Sequence, residues 1–566
     1  MRMARVGVYL DKERAIHNWG RGENVFECYF SSLFQYAGIP FTPIEETKQL
    51  HHFDIVVLAL PPLKLEETED LWDYIHTGGS VISFGTLGEF ARRMGLKEHR
   101  IDGGYGVYNQ QFLRFFHAFP WTASPSLFHC QKCGEIKSGS REGRSTGALL
   151  EKWDIGKGIL HRWTVDIIGA IVGMQQGREP VTKDGPPAPD GTANLDDGLL
   201  KADDGFAMDW EMDRLRTSTG QPYFSVPYAD LWKEAMIAHL MKTVLDQGFT
   251  LPFLDYWPDG IEQLAMVSHD SDVNDDESAY TTLAILEECD IHSTWCMMEP
   301  GYSPAIYPVI RQKGHEIALH YNARKEDGGS WSNLEMERQL HWLHIVSGEE
   351  PIVSNKNHYT IFQNWGELFE WCESIGIQSD QTRGPSKKGN VGFLFGTCHP
   401  YFPIAWADKQ NRIYDVLEIG FLTQDVDLSR LADTSIIEPF LTKAKEVRGV
   451  AHFLFHQIHL YREPTVKEAL KQVVRQAKEM GYHFWTGDKI NEWVRRRTRM
   501  KIQGIMPEGE VEYTNGCLGA VICIPVKQKD NSGAYIERFG VYCKKQKVEA
   551  GTEEMVLPGK ETKFHE

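Results

Sequence analysis

The segment that most constrains the fold is LAMVSHDSD, from Leu264 to Asp272. Its apolar first half, Leu264 to Val267, is typical of a buried strand that ends in a polar turn. Residues two apart in a strand share a face, so Asp270 and Asp272 point the same way. Two neighbouring carboxylates at the end of a buried strand repel each other unless a cation or a proton lies between them. The segment therefore predicts a divalent metal site. The alternative is that both aspartates are solvated and cap a following helix at about residues 277–289.

Length and composition place the chain among ordinary globular proteins. With 566 residues it is long enough for two to four domains. A hydrophobic content of 42% and a charged content of 25% exclude a fibre or a disordered chain. The formal net charge of −19 argues against nucleic acid or an anionic membrane surface as a partner, because both attract clustered Lys and Arg.

Targeting signals and cysteines indicate a cytoplasmic protein. The start MRMARVGVYL lacks the apolar core of a signal peptide, and no apolar run approaches the roughly 18 residues of a membrane span. The 10 cysteines lie mostly in apolar contexts, which suits buried free thiols in a reducing compartment. Cys130 and Cys133 form a CxxC beside His129, but no second ligand pair is near in sequence, so we do not expect a zinc site there.

Residues 1–175 alternate apolar strands with helical stretches, which predicts a parallel sheet covered on both faces. The order DIVVLAL, then LWDYIHTGGSVISFG, then IGKGILHRWTVDI resembles a flavodoxin-like, glutamine-amidotransferase-like domain. Active members of that family carry a cysteine on the turn after the strand that follows Gly-Gly. Here the turn is Ser83 to Gly88 and contains no thiol, so we expect a non-catalytic relative that serves in binding, assembly or packing.

The rest of the chain divides into three predicted parts. Residues 176–250 are rich in Pro and Gly and carry the acidic repeats Asp196-Asp197-Gly and Asp203-Asp204-Gly, which predicts an ordered, solvated connector followed by a helix. Residues 251–500 again alternate strands and helices over a length that suits a (β/α) barrel. Residues 501–566 have alternating apolar positions and turn signals, which predicts a small β-sandwich.

Polar residues follow several predicted strands of the 251–500 region. The strand GHEIALH ends in His320, and His315 at its start faces the opposite way. The segment Asn357-His358-Tyr359 and the segment AHFLFHQIH, which includes His452 and His456, also place histidines near strand ends. Because the carboxyl ends of barrel strands are where sites are built, we expect these side chains to meet the two aspartates.

These segments together resemble the polysaccharide deacetylase (chitooligosaccharide deacetylase-like) domain, a distorted (β/α) barrel, over about residues 260–495. The matching motifs are HDSD at 269–272, GHEIALH at 314–320 and FLFH at 453–456, with NHY, SDQTRG and GFLFGTCHPYFP as further likenesses to the branch whose first motif is HDxD. The resemblance implies a divalent metal cofactor, with zinc the expected ion. It also implies Asp270 as catalytic base and His456 as catalytic acid.

The sequence departs from the family pattern at three places. Arg324 stands where the family has its second metal histidine, so the resemblance implies a ligand set of Asp272, His320 and His358. Ser271 separates two aspartates that are adjacent in the common motif, which leaves open which of them binds metal. Leu394 stands where an arginine normally holds the base, and Arg383 is the candidate substitute.

The resemblance favours a hydrolase that removes acyl groups, most simply acetyl groups, from a carbohydrate by cleaving non-peptide C–N or ester bonds. The expected substrate-binding residues are Tyr321, Arg383, His399 and Tyr401. The alternative, given the departures, is a catalytically inactive glycan-binding or scaffold protein with the same fold. Bound stoichiometric metal is expected only of the hydrolase.

Overall fold

The structure, a computed structural model, describes residues 1–121, 128–194, 198–348, 350–428, 431–529 and 535–549. The fold is mixed α/β, and its centre is a curled parallel sheet. The expected α/β class is therefore confirmed. Asp196 and Asp197 of the first acidic repeat, and Asp530 to Gly533 of the turn predicted in the tail, lie outside the described residues.

The N-terminal region contains a mainly parallel sheet and a separate antiparallel sheet. Its strands are β1 (Val6–Leu10), β2 (Thr42–Ile44), β3 (Ile55–Leu60), β4 (Ser80–Phe84), β5 (Ile101–Tyr108), β6 (Gln111–Ala118), β7 (Cys130–Cys133), β8 (Glu135–Ser138), β9 (Ser145–Gly147), β10 (Leu150–Ile155) and β11 (Gly158–Trp163). Its helices are α1 (Lys12–Gly20), α2 (Phe30–Tyr36), α3 (Leu65–His76), α4 (Glu89–Arg93) and α5 (Ile167–Gln176).

The first N-terminal sheet has the order β2-β1-β3-β4-β11-β10-β7, parallel as far as β11 and antiparallel from there to β7. Every residue of β3 is buried, as expected of a parallel strand covered on both faces. The second sheet has the order β6-β5-β8-β9. After β4, Gly85 makes the turn with a φ of 64°, and its N–H donates to the carbonyls of Trp163 and Val165.

The connector packs closely against the central region. It contains β12 (Arg214–Arg216), β13 (Pro222–Phe224) and helix α6 (Tyr228–Asp246). Asp203 is 2% exposed, and its carboxylate accepts hydrogen bonds from the backbone of Ser386 and Lys387 and from the side chain of Asn390. The second acidic repeat is therefore buried against a loop of the central region, whereas we expected it to be solvated.

The central region forms the curled sheet. The region contains the strands β14 (Phe253–Leu254), β15 (Gln263–Asp270), β16 (Thr294–Met297), β17 (Glu316–Tyr321), β18 (Ser354–Asn357), β19 (Ser379–Asp380), β20 (Leu417–Glu418), β21 (Thr423–Gln424), β22 (Val450–Leu454) and β23 (Tyr482–Phe484). All of them except β14 belong to the curled sheet. Its helices are α7 (Asp276–Cys289), α8 (Ile306–Gln312), α9 (Asn333–Ser347), α10 (Glu367–Ile375), α11 (Ile437–Val447), α12 (Gln457–Arg462), α13 (Pro464–Glu479) and α14 (Gly487–Arg499).

The curled sheet is an open half-barrel. Its strands are parallel in the order β20-β19-β18-β17-β16-β15-β22-β21, and β23 pairs with the start of β15. Within the described residues, β20 and β21 do not pair, so the sheet does not close as a complete barrel would. Leu264 to Val267 of β15 are fully buried because β15 lies at the middle of the sheet. The parallel arrangement places the carboxyl ends of β15, β17, β18 and β22 at one edge.

The tail contains β24 (Lys501–Ile505), β25 (Val511–Thr514), β26 (Val521–Val526), β27 (Tyr535–Arg538) and β28 (Val541–Lys547). Strands β24 and β25 form a hairpin, and the other tail strands form an antiparallel sheet in the order β14-β26-β28-β27. Strand β14 belongs to the region before the half-barrel, so the tail sheet is completed by residues from outside the tail. Short 3₁₀ helices lie at Phe26–Tyr29, Thr47–His52, Ala202–Asp204, Lys325–Asp327, His358–Thr360, Ala407–Lys409 and Thr434–Ile436.

Within the part of the chain that the structure describes, no helix is both long and apolar enough to cross a membrane.

Replacing Asp203 by Ala should destabilise the protein, because it leaves the buried N–H groups of Ser386 and Lys387 without their acceptor. We expect the free energy of unfolding in urea to fall by about 3 kcal/mol. Glu179→Ala, at an exposed position of the same connector, is the control and should stay within about 0.5 kcal/mol of the parent protein. Equal stability of the two variants would show that Asp203 does not anchor the connector.

Candidate metal and catalytic site

Side chains from four strand ends meet at one edge of the half-barrel. Asp270 is the last residue of β15 and Asp272 follows in a bend. His320 lies near the end of β17, His358 directly follows β18, and His456 lies two residues after β22. All five are residues that the sequence predicted for the site, and the parallel sheet brings them together.

Asp272, His320 and His358 form a compact cluster. The Oδ1 atom of Asp272 is 3.1 Å from Nε2 of His320 and 3.3 Å from Nδ1 of His358, and these two nitrogens are 3.3 Å apart. The other ring nitrogen of His320, Nδ1, lies 3.0 Å from the carbonyl oxygen of Lys356, which orients the ring and leaves Nε2 facing the cluster. The cluster is one that could hold a metal ion.

The donor set of this cluster fits a divalent cation. Two imidazole nitrogens and one carboxylate oxygen are the ligands of many catalytic zinc sites, which keep a further position for water or substrate. Burial raises the pKa of Asp272, but His456, His320 and His358 outweigh burial and hold that pKa well below its ordinary value. Asp272 is therefore ionised, as a metal ligand must be. Arg324, at the family's histidine position, pairs instead with Glu326 and Asp327.

Asp270 is held by a lysine that the sequence did not reveal. The Asp270 side chain is 6% exposed, and its Oδ1 atom lies 3.1 Å from Nζ of Lys356, whose side chain is fully buried. Lys356 also donates to Oγ of Ser268 at 2.6 Å, and Ser268 in turn lies 2.7 Å from Nε2 of His452. Burial raises the pKa of Asp270, but Lys356 and then His320 outweigh it, so the pKa is lowered and the carboxylate stays ionised.

His456 lies beside Asp272 and is held by Asp425. Its Nδ1 atom is 2.6 Å from Oδ2 of Asp425, and its backbone N–H donates to the other oxygen of that carboxylate at 2.8 Å. Its Nε2 atom faces the site, 3.4 Å from Oδ2 of Asp272. Burial works to lower the pKa of His456, but Asp425 and Asp272 outweigh burial and raise it to about 10, so the imidazole is protonated.

The residues expected to bind substrate are not among those that line the cavity at the site, and their side chains bond within the fold. The hydroxyl of Tyr321 donates to the carbonyl of Ser330, and the hydroxyl of Tyr401 donates to the carbonyl of Gln175. His399 lies between the hydroxyl of Tyr36 and the carbonyl of Val447.

Arg383 also lies away from the proposed base. Its guanidinium is buried over the ring of Phe362, at 4.5 Å from the ring centroid, and donates to the carbonyl of Gln176. Lys356 makes the contact to Asp270 that we expected of Arg383. Lys356 lies in β18 and points inward, whereas Arg383 follows β19 and packs among aromatic rings.

A cavity of about 470 Å³ opens at the site. Connector residues form part of its wall, so the connector contributes to the site as well as to packing. Its lining residues are Asn194, Lys201, Asp270, Asp272, Tyr359, Thr360, Ser386, Lys387, Lys388, Gln424, Asp425, Leu428, Leu431, Leu454, His456 and His459.

No family model and no curated protein matches the sequence. Among solved structures, the chain is similar to a protein from Mycobacterium smegmatis assigned as a polysaccharide deacetylase, at 18% identity over 43% of this chain and 93% of that chain, with a TM-score of 0.32. It is similar to PuuE allantoinase at 12% identity, over 42% and 91% of the two chains, with a TM-score of 0.31. It is also similar to the Bc1960 peptidoglycan N-acetylglucosamine deacetylase at 16% identity, over 41% and 89%, with a TM-score of 0.25.

Lys356→Met should destabilise the metal-free protein, because it leaves the carboxylate of Asp270 buried without its cation. We expect the free energy of unfolding in urea to fall by about 3–5 kcal/mol. The double variant Lys356→Met with Asp270→Asn removes both charges and should be less destabilised than the sum of the two single variants, by about 1–3 kcal/mol. Strict additivity would show that the two charges do not interact.

Proposed function

We propose that the protein is a metal-dependent hydrolase that removes acyl groups, most simply acetyl groups, from a carbohydrate. The bond cleaved is a non-peptide C–N bond or an ester. The observation that carries the proposal is the grouping of Asp272, His320 and His358 around one point, with the ionised Asp270 beside His320 and the protonated His456 beside Asp272. The motif resemblance of residues 260–495 supports the carbohydrate substrate.

The ligand cluster supplies the binding site for the cofactor. Asp272, His320 and His358 would hold the cation, and zinc suits their nitrogen and oxygen donors. A divalent cation bound there would lower the pKa of a water molecule and polarise the substrate carbonyl.

Asp270 has the properties of the general base. It is ionised, it lines the cavity, and its Oδ2 atom lies 3.9 Å from the Nε2 atom of His320, beside the ligand cluster. It takes a proton from the attacking water as the water oxygen bonds to the acyl carbon. Lys356 holds its carboxylate in place during that transfer.

His456 has the properties of the general acid. Its Nε2 atom carries a proton and faces the cavity, while Asp425 fixes the ring from Nδ1. When the bond between the acyl carbon and the leaving nitrogen or oxygen breaks, this proton moves to the leaving atom and the acid and the free sugar are released. A glycan-binding protein without turnover needs neither a held base nor a held acid beside a ligand cluster.

Two variants separate catalysis from metal binding. Asp270→Asn should reduce the turnover of an acetylated sugar by about 10²–10⁴-fold, the range for loss of a general base, while metal content stays at the parent level. His320→Ala removes a ligand and should lose both metal and turnover. Metal is measured by elemental analysis after purification without chelator, and turnover by release of acetate.

His315→Ala is a matched control, since His315 is a histidine of the same strand segment whose Nδ1 accepts from the backbone of Ser293, away from the cluster. It should keep both metal and turnover. A fully active His320→Ala protein would refute the ligand assignment. A parent protein that binds metal and sugar but releases no acetate would leave only the inactive binding protein.

A further inference from the structure

A second group of metal-type donors lies beside the acid of the proposed site. Asp425, His456 and His459 each offer one ligand atom, and these three atoms all lie within 4.8 Å of one another. None of the three belongs to the ligand cluster at Asp272, and the proposed reaction makes no use of His459. We call Asp425, His456 and His459 the second cluster.

The turn from β22 into α12 brings the two histidines of the second cluster together. His456 immediately precedes α12, and His459 lies in the first turn, where its N–H donates to the carbonyl of His456 at 3.1 Å. Residues three apart on a helix are neighbours on its surface, and the two ring centroids lie 5.6 Å apart. Asp425 follows β21, which pairs with β22, and its N–H donates to the carbonyl of Leu454 at 2.9 Å. Two neighbouring strand ends therefore fix the three donors.

The ring nitrogens of His459 are open to solvent. Within the described part of the chain neither nitrogen makes a hydrogen bond, and neither is closed off from solvent. All three members of the second cluster line the cavity, and the side chain of His456 is 14% exposed. An ion that enters the cavity can therefore contact both histidines, and Asp425 is bonded to one of them.

We propose that the second cluster is a second zinc site, in which Asp425, His456 and His459 hold the cation. Two imidazole nitrogens and one carboxylate oxygen form the same donor set as the ligand cluster, and this set suits zinc. Nδ1 of His456 donates its proton to Oδ2 of Asp425 over 2.6 Å. A cation bound by these two atoms takes the place of that proton, which passes to water.

The second cluster binds zinc more weakly than the ligand cluster does. Asp425 accepts hydrogen bonds from both the backbone N–H and the ring of His456, and the contact to the ring has to open before a cation enters. A cation held by Asp272 also repels a second one, because Nε2 of His456 lies only 3.4 Å from Oδ2 of Asp272. One equivalent of zinc therefore fills the ligand cluster, and the second cluster fills only when zinc is in excess.

Zinc at the second cluster inhibits the proposed reaction. This consequence rests on the proposed function, in which His456 is the general acid. With zinc on Nδ1, the ring keeps its proton at Nε2 but is no longer an imidazolium. A zinc-bound imidazole releases its remaining proton less readily than an imidazolium does, so proton transfer to the leaving atom slows. The first equivalent of zinc is thus the cofactor, and further zinc is an inhibitor.

Zinc binding to the metal-free protein, followed by calorimetry, tests the second cluster independently of turnover. The parent should bind one zinc ion tightly and a second more weakly. His459→Ala should keep the first step and weaken the second by about 100-fold or more, since loss of a ligand's outer partner alone costs about 10–100-fold in metal affinity. His320→Ala should do the reverse, losing the first step and keeping the second.

Two further variants serve as controls. His344 is a half-buried histidine of helix α9 that does not line the cavity, so His344→Ala should bind two zinc ions as the parent does. His459→Gln keeps a polar side chain of similar size and should lose the second step as His459→Ala does. Urea unfolding of each variant shows whether a lost binding step reflects a lost fold.

Acetate release from N-acetylglucosamine tests the inhibitory role, with each protein compared with its own turnover at one equivalent of zinc. Excess zinc that fills the second step should lower the turnover of the parent by about 10²–10⁴-fold, the range for loss of a general acid. His459→Ala should require roughly 100-fold more zinc for the same inhibition.

The outcomes separate the second cluster from the proposed function. If the parent shows a single binding step, or if His459→Ala keeps the second step, the second cluster is overturned and the hydrolase proposal stands. If the second step depends on His459 but the parent releases no acetate at one equivalent of zinc, the hydrolase proposal is overturned and the second metal site stands. Equal inhibition of the parent and of His459→Ala at the same zinc concentration would overturn the inhibitory role.

Discussion

The structure depends on how it keeps ionised carboxylates stable at the end of a buried strand. Asp270 and Asp272 lie close together, with side chains that are 6% and 27% exposed, and their charges repel. Lys356 compensates the first, and the histidines His320, His358 and His456 surround the second. Lys356 and His358 come from β18 and its end, His320 from β17 and His456 from the end of β22, so the charge balance forms only when the sheet folds.

The same balance divides the two aspartates into different roles. Asp270 faces a fixed ammonium group, so it has a partner already and remains a carboxylate that can accept a proton. Asp272 faces two imidazole nitrogens arranged as ligands, so it suits a cation. Asp425 keeps His456 protonated, because it lies against Nδ1 and leaves a proton at Nε2. The sequence leaves open which aspartate is the ligand, and the contacts of each support our proposal of Asp272.

Several parts of the site were predictable from sequence because they lie at fixed positions on strands. Strand alternation and the position of strand ends placed His320 and His456 near the aspartates. Lys356 and Asp425 were not predictable in the same way, because their roles come from contacts with strands far away in sequence. The one signal for Lys356 is a lysine inside the strand SNKN, between two other buried polar residues.

Other expectations depended on contacts that a sequence does not contain. Arg383, His399 and Tyr401 were expected to bind substrate, yet each bonds to a backbone carbonyl within the fold. The second acidic repeat has the composition of a solvated connector, but Asp203 is buried because a loop of the central region presents N–H groups to it. The cavity wall likewise joins residues of the connector and the half-barrel, which no single segment of the sequence indicates.

X-ray absorption at the zinc edge of the metal-loaded protein tests the central claim most directly, since it reports the atoms bound to the ion. The ligand cluster predicts one zinc per chain with two imidazole nitrogens at about 2.0–2.1 Å and one carboxylate oxygen at about 2.0–2.2 Å, the remaining position being filled by a light atom. Sulfur at about 2.3 Å, or a coordination shell without imidazole, would contradict it.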